Sequence, residues 1–244
     1  MTENVNSEAG WLAIVATPIG NLDDMTLRGL QTLKDADVIL AEDTRRTRIL
    51  LDHFQIKKKL ESYHIFNEHG KTPDLIRRVQ SGEKLALVSD AGTPCIADPG
   101  FLLIRAAVEA GIEPRIIPGV SALTFSVSGS ALPSDRFAFY GFLPVKSGRR
   151  GAALDRIAQE DKTCVIFESP FRVEKLLKEI VEHIGPETRV ALVREATKVH
   201  EQILRGNAAE LVNRTAGVKL KGECVVVLRK DEDSVSGDDG DEEE

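Results

Sequence analysis

Hydrophobic and polar positions alternate in blocks along the first half of the chain. Short runs rich in apolar residues predict buried strands at residues 11–16, 38–41, 85–89 and 115–117. Between them, leucines recur at every third position from Leu27 to Leu33, and an apolar helical face runs from Leu102 to Ala110. Apolar strands that alternate with helices are typical of a mostly parallel sheet covered on both faces. Residues 11–120 are therefore predicted to form an α/β domain.

The pattern changes after Gly119. Helices are predicted at residues 121–129 and 173–184, and strands at 137–140, 163–168, 189–194, 199–204 and 223–229. Because little chain separates the strands at 189–194 and 199–204, we expect a hairpin and a mixed sheet. Residues 121–230 are predicted to form a second α/β domain, with the boundary in the region 118–135, and residues 1–10 a flexible N-terminus.

The charge of the chain is concentrated at one end. The 244 residues include 32 Lys and Arg and 39 Asp and Glu, a formal charge of −7. Residues 231–244 hold nine acidic side chains and no basic one, so the rest of the chain carries 32 basic against 30 acidic residues. We predict that this acidic tail is disordered. Since the remaining chain is slightly basic, its overall acidity is no argument against a nucleic-acid partner.

Other features narrow the class of protein. The three cysteines, Cys95, Cys164 and Cys224, are odd in number and have no CxxC spacing, which disfavours a disulfide framework or a zinc site. His64 and His69 flank Asn67-Glu68, but no carboxylate–histidine spacing recurs, so no metal site is predicted. The first ten residues carry no Lys or Arg and do not resemble a signal peptide. No apolar run approaches the roughly 20 residues of a membrane span, and we expect a cytoplasmic protein.

Candidate chemistry lies in four turns that follow predicted strands, at residues 17–21, 89–100, 118–122 and 167–172. Ligands of open α/β sheets bind beyond the carboxyl ends of the strands. The first turn lacks the GxGxxG pattern of dinucleotide sites. In the second, Asp90 is suited to a cation or to ribose hydroxyls, while Asp98-Pro99 is predicted to cap a helix. Ser121 either caps a helix or lies among free backbone N–H groups that face a ligand, and Ser169-Pro170 is predicted to cap another helix.

Basic side chains follow the second strand. Arg45, Arg46 and Arg48 fall within four positions, a pattern suited to phosphate contacts, although a solvated first helical turn would have the same composition. Residues 57–59 (KKK) and the basic residues of 146–150 add further charge, either as RNA contacts or as solvated surface.

Together these segments resemble a known family. TPIGNLDDMTLRGL, AEDTRRTRILL, SDAGTPCIADPG, PGVSA, GFLP and FESPFR occur in this order and are similar to the ribosomal RNA small subunit methyltransferase I family of the tetrapyrrole methylase superfamily. The resemblance covers residues 11–229. It implies two α/β domains with S-adenosylmethionine in the cleft between them, a homodimer without metal, and methylation of the 2′-oxygen of a decoding-centre cytidine in 16S rRNA of the 30S subunit.

The resemblance also implies roles for individual residues. The positions that match the cofactor site are Pro18, Val88, Ser89, Asp90, Ile96, Ser121, Ala122, Phe167 and Ala196. The candidates for action near the reacting ribose are Asp43, Arg45 and Glu168. The candidates for RNA contact are Arg45, Arg46, Arg48 and Arg172.

Two other functions stay open at this point. A methyltransferase of small tetrapyrroles would share the fold and cofactor, but its relatives have a glycine-rich first loop, of which only Pro18 and Gly20 remain. A non-catalytic RNA-binding module would not need a cofactor site. The arginines after the second strand favour the RNA methyltransferase over the tetrapyrrole enzyme.

Overall fold

The computed structural model describes residues 10–230. The predicted flexible N-terminus through residue 9 and the predicted acidic tail lie outside the described residues. The chain divides into two compact units, the first ending at Phe125 and the second beginning at Ser126. No helix among residues 10–230 is long and apolar enough to cross a membrane.

The first unit is built on a parallel sheet. Its strands are β1 (Trp11–Val15), β2 (Val38–Ala41), β3 (Lys59–Ser62), β4 (Lys84–Val88) and β5 (Arg115–Ile117), in the spatial order β3-β2-β4-β1-β5. The connections contain a 3₁₀ turn (Leu22–Asp24) and the helices α1 (Leu27–Asp35), α2 (Thr44–His53), α3 (Glu68–Gln80) and α4 (Phe101–Glu109). Since all neighbouring strands are parallel, their carboxyl ends lie at one edge.

Alternate residues of these strands bury the two faces of the sheet. Along β1, Trp11, Ala13 and Val15 pack into one core with residues of α1 and α2. Leu12 and Ile14 face the other side and pack into a second core with residues of α3 and α4. The predicted parallel sheet with both faces covered is confirmed for this unit.

The second unit has a mixed sheet. Its strands are β6 (Phe137–Phe142), β7 (Thr163–Glu168), β8 (Arg189–Arg194), β9 (Gln202–Asn207) and β10 (Cys224–Arg229), in the order β6-β7-β10-β8-β9. Helix α5 (Ala122–Gly129) runs from the first unit into the second, and α6 (Ser147–Ile157), α7 (Val173–His183) and α8 (Ala208–Thr215) follow. Because β10 is antiparallel to β7 and β8 while β6 is parallel to β7, strands β6, β7 and β8 all end at one edge.

Several local predictions need correction. The β8–β9 hairpin forms as expected, but β9 begins at Gln202 instead of residue 199. Asp98 does not cap a helix, since α4 starts only at Phe101 and its N-cap is Gly100, at φ 134°. A Cβ atom there would lie 2.6 Å from Cys95 Sγ, so the close approach also requires glycine. Likewise, α7 has Arg172 at its N-cap, with no side-chain cap from Ser169.

Candidate active site

The carboxyl edge of the first sheet is held together by contacts between its turns. The backbone N–H of Thr17, after β1, donates to the carbonyl of Gly92 at 2.8 Å, and the Gly92 N–H donates back at 3.0 Å. The Thr17 hydroxyl also donates to the carbonyl of Ser89, at 3.3 Å. These bonds join the turn after β1 to the turn after β4, and they bring the buried residues Pro18, Val88 and Ser89 to the same part of the edge.

Asp90, in the turn after β4, connects this part of the edge to the residues that follow β2. Its Oδ1 accepts a hydrogen bond from the backbone N–H of Asp43 at 2.9 Å, and its Oδ2 lies 3.5 Å from Nη1 of Arg46. The Asp90 side chain is half-buried. A carboxylate in this position stabilises the geometry of two strand ends and also gives the edge a negative charge.

The loop after Asp90 has an unusual backbone. Cys95 and Ala97 adopt φ values of 72° and 65°, a region that costs non-glycine residues on the order of 1–3 kcal/mol each. Ile96 lies between them and is exposed. Strain of this kind persists where the surroundings fix it and is common at ligand sites. Burial raises the pKa of the Cys95 thiol to about 11, so this cysteine is a poor nucleophile at neutral pH.

Helix α2 begins with a carboxylate and two exposed arginines. Asp43 is its N-cap and accepts hydrogen bonds from the backbone N–H, the Nε and the Nη2 of Arg45, at 2.9, 3.0 and 2.7 Å. These bonds hold the pKa of Asp43 well below its usual range. Arg45 and Arg46 are 89% and 64% exposed, and cations are disfavoured in the first turn of a helix by the macrodipole. Helix stability therefore does not explain these arginines.

Glu42, between β2 and α2, differs from its neighbour Asp43. Burial and the nearby charge of Asp90 raise the pKa of Glu42, and they outweigh the opposing charges of Arg46 and His64. Glu42 was not among the candidate residues predicted from the sequence. Its signal is its position, since it is the first polar residue after a buried strand.

The second unit brings other predicted residues to the edge where β6, β7 and β8 end. Phe167 is half-buried, and its ring centroid lies 4.8 Å from that of Phe139 and 5.8 Å from that of Phe142. Ala196 follows β8, between Glu195 at φ 51° and Thr197 at φ 64°. The unit thus offers an aromatic wall and a strained loop on one edge of its sheet.

Glu168, the last residue of β7, is buried and fully hydrogen-bonded. Its Oε2 accepts from Nη2 of Arg150 at 2.7 Å. Its Oε1 accepts from Nε of Arg172 at 2.7 Å and from the backbone N–H of Ser169 at 2.8 Å. A carboxylate with no exposed surface and three donors is suited to fixing the turn that carries Arg172. The catalytic assignment of Glu168 stays a prediction, and this environment favours a positioning role instead.

Arg150 was expected on the basic surface, and that expectation is wrong. Its side chain is 2% exposed and also donates through Nε to Glu179. The sequence contains a signal for this burial, because Arg150, Ala153, Leu154 and Ile157 share one helical face and all four are buried.

The structure thus groups the predicted site residues by unit. At the carboxyl edge of the first sheet lie Pro18, Asp43, Arg45, Arg46, Val88, Ser89, Asp90, Ile96, Ser121 and Ala122, with Arg48 exposed one turn further along α2. At the corresponding edge in the second unit lie Phe167, Glu168, Arg172 and Ala196. Within residues 10–230, no group of three or more His, Cys, Asp and Glu side chains is arranged to hold a metal ion.

Comparison with known sequences gives consistent matches. The family described as Tetrapyrrole (Corrin/Porphyrin) Methylases matches residues 12–212. Ribosomal RNA small subunit methyltransferase I of Synechocystis sp. is 46% identical over 219 residues, which cover 90% of this chain and 78% of that protein. The protein of the same name from Thermotoga maritima is 44% identical over 219 residues, covering 90% of this chain and 98% of that one.

Solved structures share the fold at lower identity. Uroporphyrin-III C-methyl transferase from Thermus thermophilus, complexed with S-adenyl homocysteine, superposes with a TM-score of 0.62 at 19% identity, covering 90% of this chain and 97% of that one. The methyltransferase CobJ gives a TM-score of 0.66 at 19% identity, covering 91% and 94%. At such identities the likeness shows the fold alone.

Proposed function

The chain belongs to the ribosomal RNA small subunit methyltransferase I family, within the tetrapyrrole methylases, and on this premise we propose that it methylates the 2′-oxygen of a decoding-centre cytidine in 16S rRNA. It is a methyltransferase of small-subunit ribosomal RNA that uses S-adenosylmethionine. The nucleotide, the 2′-oxygen and the roles of individual residues are the proposal.

One observation carries the RNA assignment within the site. Arg45 and Arg46 are exposed in the first turn of α2, where the helix dipole opposes them, and they lie at the same edge as Asp90. A ribose methyltransferase needs cations there, because the phosphates that flank the ribose must be held while it reacts. Because the carboxylates of a tetrapyrrole would also attract arginines, the choice of RNA over a tetrapyrrole is supported by the relatives at 44–46% identity, which are named as ribosomal RNA methyltransferases.

The residues of the first unit fit S-adenosylmethionine. Gly119 brings the turn after β5 against the end of β1, since a Cβ atom on it would lie 2.9 Å from the Cβ of Ala16. This close approach leaves main-chain groups of residues 118–122 at the same edge of the sheet as Asp90. We assign Asp90 to the cationic or ribose part of the cofactor and exposed Ile96 to an apolar part. Pro18, Val88, Ser89, Ser121 and Ala122 complete the residues of the first unit that we assign to the cofactor, and Phe167 and Ala196 are the residues of the second unit that the resemblance assigns to it.

Alignment is the main task of the protein. When bound, the cofactor supplies a methyl group activated by a sulfonium sulfur. Arg45 is held by Asp43 through two side-chain hydrogen bonds and is assigned to a phosphate beside the reacting ribose, with Arg46 and Arg48 next along α2. Both carboxylate oxygens of Asp43 accept hydrogen bonds from Arg45, which also lowers the pKa of Asp43, so Asp43 is less suited to accept the ribose proton. Glu42, whose pKa is raised by burial and Asp90, is the better acceptor on this edge.

The second unit contributes a fixed cation in this proposal. Arg172 donates through Nε to buried Glu168, which leaves its two Nη groups for an RNA phosphate. We further propose that residues 11–120 and 121–230 form two domains, that the protein is a homodimer and that it is cytoplasmic. Light scattering of the purified protein checks the homodimer, and fractionation of cells checks the location.

Methyl transfer to 30S subunits tests the function. Subunits from a strain without this modification are incubated with labelled S-adenosylmethionine, and a decoding-centre fragment of the 16S rRNA is isolated and digested to nucleosides. The proposal predicts label in 2′-O-methylcytidine from a decoding-centre fragment. Label in a base, at another nucleotide, or in a tetrapyrrole but not in RNA would contradict it.

A further inference from the structure

We propose that Phe66 is a stacking platform for an unpaired nucleobase of the RNA substrate, next to the arginines that begin α2. The inference rests on the proposed function, because it concerns the RNA side of the same site. It adds an aromatic contact to the charged surface that Arg45 and Arg46 form at the start of α2.

The turn that carries Phe66 lies beside the start of α2. Strands β2 and β3 pair to their last residues, Ala41 opposite Ser62. The pairing continues for one more step, since the N–H of Tyr63 donates to the carbonyl of Ala41 at 2.7 Å. The chain after β3 therefore leaves the sheet alongside the chain after β2, which leads through Glu42 to the arginines. His64 lies close enough to Glu42 for its charge to lower the pKa of that carboxylate, although burial raises this pKa by more.

The backbone on either side of Phe66 is anchored, and its ring lies edge-on to that of His64, with 6.0 Å between the ring centroids. Tyr63 is buried, and its hydroxyl is hydrogen-bonded to that of Thr72 at 2.9 Å. The side-chain oxygen of Asn67 accepts a hydrogen bond from the N–H of His64 at 2.9 Å. Between these anchors Phe66 is 93% exposed. Its contribution to the core is negligible, so the fold does not explain an aromatic residue here.

The neighbouring charges identify the occupant as nucleic acid. Arg45 and Arg46 each contact one carboxylate, of Asp43 and Asp90, yet stay 89% and 64% exposed. Ile65 beside Phe66 is an exposed apolar residue. Cations that follow a phosphate backbone, together with an exposed aromatic ring on which a base stacks, are the combination that binds unpaired RNA. A protein partner that used Ile65 and Phe66 alone would give no reason for the adjacent arginines.

Three variants of the full chain test the contact. Phe66→Ala removes the ring and Phe66→Tyr retains it. Val108→Ala is the control, because it removes an exposed apolar side chain at the end of α4. The residues that follow α4, Gly111 and Ile112, line a cavity with Trp11 at the start of β1, so Val108 lies at the opposite edge of the sheet from Phe66. Affinity for 30S subunits is measured in the presence of S-adenosylhomocysteine. We expect Phe66→Ala to weaken binding on the order of 5- to 150-fold, and the other two variants to bind within about twofold of wild type.

A fluorescent variant reports stacking itself. The chain has one tryptophan, Trp11, which is buried, so Phe66→Trp adds an exposed fluorophore. We expect its emission to be quenched when a decoding-centre RNA fragment binds, while the emission of wild type stays unchanged. Unquenched emission, or full affinity of Phe66→Ala, overturns the inference.

The outcomes separate this inference from the proposed function. Wild-type protein that methylates 16S rRNA, together with a Phe66→Ala variant of full affinity, overturns the stacking role alone. Phe66-dependent RNA binding by a wild type that forms no 2′-O-methylcytidine overturns the function and supports the contact. A wild type that does not bind RNA overturns both.

Discussion

Arg150 provides a sharp test of how the second unit is stabilised. Replacing it with methionine keeps much of the side-chain volume but removes one donor from Glu168, which has no exposed surface, and one from Glu179, which is mostly buried. Glu179 retains Lys175 at 3.6 Å, and Glu168 retains Arg172 and the Ser169 N–H. Removing one partner of a buried ion pair costs about 3–5 kcal/mol, because a buried charge is left uncompensated. Because Glu168 and Glu179 keep these other partners, we expect Arg150→Met to lower the unfolding free energy of this unit by about the lower end of that range.

Cys164 and Cys224 allow the second unit to be followed by itself. Both thiols are buried in it, and burial raises the pKa of each to about 12, so they react slowly until the unit opens. Labelling these two cysteines at increasing urea, resolved by peptide mass, measures the opening free energy. Lys178→Met removes an exposed i,i+4 pair with Glu174 on α7, and should cost less than about 1 kcal/mol. Adding Glu168→Gln to Arg150→Met should recover part of the loss. An Arg150→Met variant as stable as Lys178→Met would refute the reasoning.

Three further predictions concern the first unit. Arg45→Ala should reduce methyl transfer to 30S subunits at least tenfold, with cofactor affinity unchanged. The control Arg77→Ala removes an exposed arginine paired with Asp74 on α3 and should change neither the rate nor the affinity. A wild-type rate for Arg45→Ala would show that Arg45 is not part of the site. Glu42→Gln should lower kcat and abolish the rise of kcat as pH increases through the raised pKa of Glu42; a pH profile of wild-type shape would exclude it as proton acceptor. Glu61, whose pKa Arg78 lowers from 4.5 to about 2, should stabilise the fold above pH 4.5 and lose that effect as pH falls towards 2. Urea unfolding followed by Trp11 fluorescence should therefore show a flatter acid dependence for Glu61→Gln, and an unchanged dependence would contradict the ion-pair account.

The elements that the sequence predicted well have a strong apolar period. Strands such as β1 and β4 are buried almost throughout, and α7 has a regular apolar face. Strand β3 was not predicted, because it consists of the half-exposed residues KLES at a sheet edge. Helix α3 was also missed, since Gly70 and Pro73 interrupt its pattern near the start.

The candidate site shows a similar division. Strand-end turns were identified from their position, and the structure brings those of the first unit to one edge. The state of each side chain depends on partners distant in sequence: Asp90 contacts a residue 47 positions away, and Glu168 is neutralised by Arg150, 18 positions before it. Such pairs leave no local pattern, and so the burial of Glu168 could not be predicted from FESPFR alone.

The central claim is that the carboxyl edge of the first sheet holds the cofactor around Asp90. Calorimetric titration of S-adenosylhomocysteine into wild type, Asp90→Ala, Asp90→Asn and the exposed control Asp74→Ala tests it most directly. Asparagine retains an oxygen for the Asp43 N–H but removes the charge, so it separates support of the turn from contact with the ligand. We predict at least tenfold weaker binding for Asp90→Ala, measurable weakening for Asp90→Asn, and no change for Asp74→Ala. Wild-type affinity in Asp90→Ala would contradict the claim.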